Sequence, residues 1–389
     1  MLRKLLILLA TYSSFVSCSS IQQNNKSPIN IYCNQDNDLF QLLQLIGENC
    51  NRFDQIAKAV EKTEINGILL ILAADYPSQK TTLPKGFYKK VKEKNLKVYL
   101  EYPDRLMSGG STGEIKPTKK ERLVVNSDFF GKELPSMSLL DAGLFSYVEV
   151  PEQVGHVRGA NVAGFDQAEY GLKDTPSFPL LFEAENVLIS TTKLSDFNKS
   201  RFSPINNWQK VIKKICSHLS IDVGTKPIDW VPIVKPTYTA NEVIPENAYQ
   251  LAVERGAEWY IKGRFLIHPN WKNEWLSIDT LSLPVGPPMD KNQPSGDGTL
   301  GIMEGHYSYI NPNGSQPYRY WLRADCVAEA AMTFAMSSEV SGKESDKEIA
   351  ENLMEFLFST DAFKTTNSKD LDKSSYGLIG WAGTRPSRY

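Results

Sequence analysis

Short apolar runs alternate with stretches of helical periodicity over the first 220 residues of the chain. Residues 67–75, Gly-Ile-Leu-Leu-Ile-Leu-Ala-Ala-Asp, form a continuous apolar run, as expected for a central parallel strand that is covered on both faces. Residues 39–62 place large apolar side chains at helical spacing and predict one amphipathic helix. Because strands and helices alternate, residues 29–220 are predicted to form an α/β domain with a mainly parallel sheet.

The other elements of this domain follow from the same interpretation of apolar spacing. Strands are predicted at 29–32, 96–102, 123–126 and 145–150, a terminal hairpin at 180–183 and 186–191, and helices at 87–95 and 208–219. The last of these helices is expected to close the domain.

The second half of the chain has a different pattern, with prolines followed by long helical stretches. Residues 221–245 form a proline-rich connector, and Pro245 with the following Glu246 is typical of a helix start. Helices are predicted at 245–267, 325–338 and 347–359, and loops at 270–297 and 376–381. Residues 246–389 are therefore predicted to form an all-α region.

The first 18 residues have the pattern of an export signal. Arg3 and Lys4 precede an apolar stretch that is too short to span a bilayer. The Ser17-Cys18 pair that follows resembles a bacterial lipobox, so residues 1–18 are predicted to be a lipoprotein signal with Cys18 as the lipidated residue. Residues 19–28 are a predicted polar tether. This pattern predicts a cell-envelope protein that is anchored to the outer membrane by its lipid. Cleavage near Ser17, with release of a freely soluble product, is the alternative.

The charge balance and the cysteines argue against several classes of function. The formal net charge is −2 and the chain has no basic run, so a nucleic-acid partner is not expected. The scattered histidines and the lack of a Cys-x-x-Cys motif do not support a metal site, and no cofactor is predicted. Cys33 and Cys50 lie in one early strand–helix unit and are able to pair in an exported protein, but buried thiols are equally compatible with their positions.

The candidate chemistry is concentrated in residues 298–335. Glu304 and His306 lie on a predicted loop that is rich in glycine and aromatic residues. Asp325 and Glu329 follow at the start of a predicted helix, four residues apart and so on one helix face. The three acids are candidate catalytic residues, because glycoside hydrolysis uses one protonated and one ionised carboxyl group. The alternative is that the two helix acids serve as a cap and a dipole partner, while Glu304 pairs with an arginine.

Four side chains of this segment are candidate substrate-binding groups: Arg319, Arg323, His306 and Trp321. Two arginines that fork onto a sugar carboxylate would suggest a glycan containing uronic acid, and ion pairs with the nearby acids are their alternative use. The Trp321 ring is able to stack on a sugar, although a tryptophan is more often a core residue. His306 is a candidate general acid or hydrogen-bonding group, but a lone loop histidine commonly has neither role.

The first domain carries a family resemblance. Its order of elements over 29–219, and the sequence Pro-Leu-Leu-Phe-Glu-Ala-Glu-Asn-Val-Leu-Ile-Ser-Thr-Thr-Lys-Leu-Ser at 179–195, resemble the class I glutamine amidotransferase-like fold, which is flavodoxin-like in outline. Active members have a cysteine on a strand-to-helix elbow, Gly-x-Cys-x-Gly. The corresponding residues here are Glu101-Tyr-Pro-Asp-Arg, without cysteine, serine or flanking glycines. The resemblance therefore implies a non-catalytic amidotransferase-like domain over 29–220 and argues against an active amidohydrolase.

The second half carries another resemblance. Four segments, at 254–260, 301–306, 322–329 and 377–381, resemble parts of the (α/α)6 toroid that many polysaccharide-degrading enzymes use. This implies a glycoside-hydrolase-like exported lipoprotein of the kind found in Bacteroidota, with a partial toroid over 246–389. A full toroid has many more helices than the three predicted here, so this sequence is expected to contain only the start of that domain.

Two hypotheses on function follow from these features. The first is an exported, carbohydrate-active, glycoside-hydrolase-like lipoprotein, whose partners are a glycan or oligosaccharide and, through its lipid, the membrane. The second is a non-catalytic lipoprotein that binds glycan or serves as a scaffold. The sequence pattern is compatible with both, and whether this chain turns over a substrate distinguishes them.

Overall fold

The computed structural model describes residues 27–199, 201–223, 230, 232–233, 235–238, 242–279, 281 and 283–383. The predicted signal at 1–18, including Cys18, and most of the tether at 19–28 lie outside these residues. Among the residues described, no helix has both the length and the apolar character that crossing a membrane requires.

The first part of the structure contains eleven strands and four α-helices within the described residues. The strands are β1 (Ile29–Tyr32), β2 (Cys50–Phe53), β3 (Ile68–Ile71), β4 (Lys97–Glu101), β5 (Ile115–Pro117), β6 (Arg122–Val125), β7 (Leu139–Leu140), β8 (Ser146–Val148), β9 (Val157–Ala160), β10 (Ser177–Ala184) and β11 (Val187–Ser190). The helices are α1 (Asp38–Leu45), α2 (Ile56–Lys62), α3 (Phe87–Glu93) and α4 (Ile205–His218).

Nine of these strands form one sheet in the order β2-β1-β3-β4-β11-β10-β9-β6-β7. The first five are parallel to one another, and the last four continue the sheet in antiparallel pairs. The predicted terminal hairpin is present as β10 and β11, with Phe182 opposite Ile189. β5 and β8 form a separate two-stranded sheet. The predicted α/β class is confirmed.

Residues 39–62 do not form the single helix that their apolar spacing predicted. They form most of α1, then β2 and α2. Gly47 follows the first helix with φ of 84°, a conformation in which a side chain would be strained. β2 lies at the edge of the sheet, beside β1, so it lacks the continuous apolar sequence of a central strand.

β3 separates two apolar cores, which explains its uninterrupted apolar sequence. Leu70 and Leu72 pack in the core that also contains the buried Trp208 of α4. Leu69 and Ile71 pack on the opposite face, with residues of α2 and α3. Successive side chains of a strand point to opposite faces of the sheet, so helices on both sides cover this strand.

The second part of the structure combines helices with a small sheet. Its elements are α5 (Ala248–Lys262), α6 (Lys272–Asp279), β12 (Val285–Gly286), β13 (Met303–His306), β14 (Tyr318–Leu322), α7 (Ala324–Ser341) and α8 (Glu344–Ser359). They enclose a separate apolar core that contains the fully buried Phe265, Tyr320 and Phe334.

The all-α prediction for residues 246–389 is not confirmed, because three strands form an antiparallel sheet in the order β12-β14-β13. β13 and β14 alternate buried and half-buried residues, which is the period of a strand and not of the predicted loop. Residues 270–297, also predicted as a loop, contain α6 and β12. The three predicted helices are present as α5, α7 and α8, and α7 packs against both others.

The turn between β13 and β14 reaches the α/β part of the molecule. The backbone N–H of Leu144 donates to the carbonyl of Ile310 at 3.2 Å. Gly314 has φ of 80°, and a Cβ there would lie 2.2 Å from the carbonyl oxygen of Lys199. The close approach therefore requires glycine at this position, and it brings residues 311–313 over the edge of the large sheet.

Candidate functional site

Glu304 is held between two arginines in the small sheet. Its Oε1 accepts hydrogen bonds from Nη1 of Arg319 and from Nη1 of Arg323, both at 2.8 Å. The strand register places Gly305 opposite Arg319, and the pairing shifts between Met303 and Gly305. Gly305 has φ of 120°, which suits an irregular strand position that only glycine adopts easily. This irregular pairing beside Glu304 thus directs its side chain towards both arginines.

Arg323 connects Glu304 to Asp325. It immediately precedes α7, and its Nε donates to Oδ1 of Asp325 at 3.0 Å while Nη2 contacts the other carboxylate oxygen. Asp325 also accepts from the backbone N–H of Cys326 at 2.9 Å and from Nε1 of Trp381 at 3.0 Å. The hydrogen bond from Arg323 is the main cause that lowers the pKa of Asp325, so this carboxylate is ionised at neutral pH. We call Glu304, Arg319, Arg323 and Asp325 the arginine–carboxylate cluster.

Aromatic rings lie against both arginines of this cluster. The Arg323 guanidinium lies over the Trp381 ring, 4.5 Å from its centroid, and Arg319 lies over Tyr307 at 5.1 Å. Trp321 contacts Trp381 edge to face, with centroids 5.2 Å apart. Trp381 is 56% exposed. The charged cluster therefore opens to solvent beside an indole face, where cation–π attraction orients the guanidinium.

One atom of the cluster has an unmet hydrogen-bonding capacity. Oε2 of Glu304 is buried and has no hydrogen-bond partner within the described residues, although the side chain as a whole is 13% exposed. A buried polar atom without a partner is uncommon and costly. The atom is shielded from solvent, so a ligand hydroxyl reaches it only if a neighbouring side chain moves.

His306 and Glu329 do not join this cluster. The His306 ring contacts Trp259, Phe265 and Tyr318, with centroids 5.3, 5.1 and 4.9 Å away. Burial lowers the pKa of His306, so the imidazole is neutral at pH 7. Glu329 is exposed on α7, and no ion pair of its side chain is found among the described residues. The helical spacing from Asp325 is present, but Asp325 turns back to Arg323 at the helix start.

The structure thus brings together Glu304, Arg319, Arg323 and Asp325, with Trp321 beside them through Trp381. The ion pairs that were the alternative use of both arginines are present. The contact of Trp381 with Asp325 spans 56 positions, and no local sequence pattern reports it.

The position of the predicted nucleophile elbow is occupied by a buried carboxylate. Glu101 ends β4 and is 0% exposed. It accepts from the backbone N–H groups of Ala73 at 3.2 Å and Leu194 at 2.9 Å, and from the hydroxyls of Ser195 at 2.8 Å and Tyr99 at 3.0 Å. The chain continues from Glu101 into an irregular segment and not into a helix. Glu101 therefore ties three segments together at the end of β4.

The described residues offer no group of three or more His, Cys, Asp and Glu side chains arranged for a metal ion. Cys33, Cys50, Cys216 and Cys326 are free thiols, so the pairing considered for Cys33 and Cys50 is not formed. Burial raises the pKa of each of these thiols to about 12. They are therefore protonated and unreactive at neutral pH.

A second concave site was missed at the level of sequence. A cavity of about 400 Å³ lies at the carboxyl ends of β3 and β11 and is lined by residues of four separate segments, near 76, 142–145, 192–202 and 311–313. One sequence signal for it was the polar run Ser-Thr-Thr-Lys that follows the apolar strand β11. The Asn-Pro-Asn-Gly turn at 311–314 is more than one hundred residues away, so no local pattern connects the two segments.

Comparison with known proteins gives no relative to guide the assignment: no family model, curated protein or solved structure matches the chain.

Proposed function

We propose that this chain is an exported carbohydrate-binding protein of glycoside-hydrolase-like type, and that the arginine–carboxylate cluster with Trp381 contacts the glycan. The observation that carries the proposal is the Arg323 guanidinium, which bridges two carboxylates and lies over an exposed indole. An exposed ring offers a flat apolar surface to a sugar ring, while fixed charged groups hydrogen bond to its hydroxyls.

Binding is favoured over hydrolysis by the charge state of the cluster. A glycosidase needs one carboxyl group that keeps its proton and a second that is ionised. Arg323 lowers the pKa of Asp325 and so opposes its use as the acid. Hydrolysis is the second candidate, because Glu304 and Asp325 share one guanidinium and so lie close enough to flank a single glycosidic bond.

The α/β part is proposed to be a non-catalytic, flavodoxin-like domain of amidotransferase-like type. Support comes from its strand order, in which five parallel strands run β2-β1-β3-β4-β11, and from Glu101 in place of a nucleophile. The helices α5, α7 and α8 are proposed to be toroid-like. A uronic-acid-containing glycan is the proposed ligand class, because the one hydrogen bond found for the Arg319 guanidinium among the described residues uses Nη1 alone, and this side chain is 31% exposed.

Trp381→Ala should weaken binding to the preferred polysaccharide about tenfold, because the stacking surface and the ring under Arg323 are both lost. Affinity is measured by isothermal titration against a panel of soluble acidic and neutral polysaccharides. The matched control is Phe358→Ala, since Phe358 is a ring of similar exposure, 58%, on α8. Equal affinities for the two variants would contradict the proposal, and release of reducing ends by the wild-type chain would favour hydrolysis.

Cys18→Ala should abolish lipid attachment and move the protein from the membrane to the soluble envelope fraction. The reason is that a lipobox cysteine is the acylated residue, and the described residues contain no helix long and apolar enough to cross a membrane. Metabolic labelling with a radioactive fatty acid and fractionation check this outcome. Cys33→Ala is the control and should keep the label. Labelled, membrane-bound Cys18→Ala protein would show that the lipoprotein proposal is wrong.

A further inference from the structure

The cavity of about 400 Å³ is built at a position where α/β folds bind ligands. Tyr76 follows β3 and Lys193 follows β11, at the carboxyl edge of the parallel strands, and Asn311 reaches over them from the second part of the chain. Ligands of open α/β sheets bind at this edge. The volume lies in the range of about 300–1,000 Å³ that small-molecule sites occupy.

Lys193 is an incompletely paired ammonium in this cavity. Its side chain is only 7% exposed, and Nζ lies 2.7 Å from Oδ2 of Asp196. An ammonium group has three N–H donors, and within the described residues the one ion pair found for Lys193 is with Asp196. A buried cation with unused donors is costly unless an acceptor is supplied. The cavity is therefore suited to a ligand oxygen at Lys193.

The charges that line the cavity favour a negatively charged ligand. Two lysines, Lys193 and Lys199, and one aspartate, Asp196, lie in the lining. Lys199 has its ion-pair partner, Asp36, outside the lining, where Asp36 is 70% exposed and well solvated. Both lysines line the cavity, and Lys193 is only 7% exposed, so solvent screens its charge less than at the surface. The buried Glu101 also attracts Lys193. A carboxylate is the complementary group.

The remaining walls favour a hydroxylated molecule. Phe202, Phe145 and Leu144 provide an apolar side. At the mouth, Nδ2 of Asn311 donates a hydrogen bond to the hydroxyl of Ser315, and Oδ1 of Asn313 accepts one from the same hydroxyl. Among the described residues no partner is found for Oδ1 of Asn311 or Nδ2 of Asn313. One acceptor and one donor are thus available at the mouth, which is a pattern that vicinal hydroxyls satisfy.

We infer that this cavity binds a small hydroxylated carboxylate, such as a monomeric sugar acid. Its carboxylate lies on Lys193 and Lys199, its hydroxyls on Asn311 and Asn313, and its apolar face on Phe202. The site is separate from the arginine–carboxylate cluster, and the inference does not depend on the glycan-binding proposal.

The test is isothermal titration of the full chain with D-glucuronate, D-glucose and hexanoate. Glucuronate carries both the carboxylate and the hydroxyls, whereas the other two probes each lack one of these features. We expect glucuronate to bind at least about tenfold more tightly than either probe. Glucose lacks the carboxylate and its charge-assisted hydrogen bonds, and hexanoate lacks the hydroxyls and their hydrogen bonds. Equal binding of glucuronate and glucose, or no binding of glucuronate, overturns the inference.

Variants locate the ligand. Lys199→Ala, at a half-buried lysine that is one-third exposed, and Asn311→Ala should each keep the fold and weaken glucuronate binding, and Lys193→Met should reduce it at least about tenfold. Lys92→Ala is the control, since Lys92 lies on α3 and is 73% exposed. Retention of glucuronate binding in both Lys199→Ala and Asn311→Ala would place the ligand elsewhere and overturn the inference.

Discussion

Replacement of Glu101 by alanine is expected to lower the free energy of unfolding of the α/β part by about 3–5 kcal/mol, the range for removing one partner of a buried charged network. The carboxylate is fully buried and accepts four hydrogen bonds, two of them from backbone N–H groups after β3 and β11. Without it, those buried donors have no acceptor, and each unsatisfied group carries its own desolvation cost. Urea denaturation followed by tryptophan fluorescence measures the change.

Two comparisons make the result specific to the network. Glu101→Gln keeps the shape and one acceptor oxygen, but its NH2 group must face one backbone N–H, so its loss of stability should be smaller than that of alanine. Glu93→Ala is the surface control, because Glu93 is 58% exposed at the end of α3. A Glu101→Ala variant as stable as Glu93→Ala would mean that the network contributes nothing to stability.

The same residue predicts a direction of pH dependence. Burial is the largest cause that raises the pKa of Glu101 in the folded state. A raised carboxyl pKa contributes stability that is fully present below the unfolded-state value of about 4.3 and is lost as the pH rises through the folded-state pKa. The stability advantage of wild type over Glu101→Gln should therefore shrink as the pH increases from the acidic side. An advantage that grows with pH would contradict this direction.

The spacing of apolar residues predicted the central strands of the fold because these strands are buried along their whole length. β3 is apolar throughout since both of its faces are covered, and the predicted hairpin is β10 with β11. The edge strand β2 was missed because its sequence, Cys-Asn-Arg-Phe, is only partly buried and lies between two helices whose apolar residues continue one helical spacing. Local spacing does not report such a break.

The candidate site was predictable in composition but not in arrangement. Glu304, Arg319, Arg323 and Asp325 come from one short stretch of sequence, and all four were among the predicted site residues. Their roles depend on the pairing of β13 with β14. These strands were predicted as loop, because β13 has only four residues, includes Gly305 and is followed by a turn rich in proline, so its alternation of buried and half-buried residues is hard to recognise. The strand pairing is what turns Glu304 to the arginines.

The largest functional effect is expected for Arg323→Lys. Lysine keeps the positive charge but lacks the planar fork with which Arg323 contacts Glu304 and Asp325 at once. One of the two carboxylates must lose its partner, and the group over the Trp381 ring changes from a flat guanidinium to a compact ammonium. Glycan affinity should fall about tenfold or more, while the fold is retained. The control is Arg255→Lys, since Arg255 is an exposed arginine of α5.

A pH series separates this effect from a general loss of structure. Arg323 lowers the folded-state pKa of Asp325, so Asp325 contributes stability that is present above its unfolded pKa of about 3.9 and is lost as the pH falls through the folded value. In Arg323→Lys the pKa of Asp325 should rise, and this acid-side loss of stability should become smaller. NMR titration of the Asp325 carboxyl carbon measures the pKa directly.

An unchanged Asp325 pKa together with unchanged glycan affinity would show that the guanidinium bridge is not what organises the site. A raised pKa with weakened binding would tie the charge state of the cluster to recognition, because the same two hydrogen bonds that keep Asp325 ionised also hold Arg323 over the exposed indole.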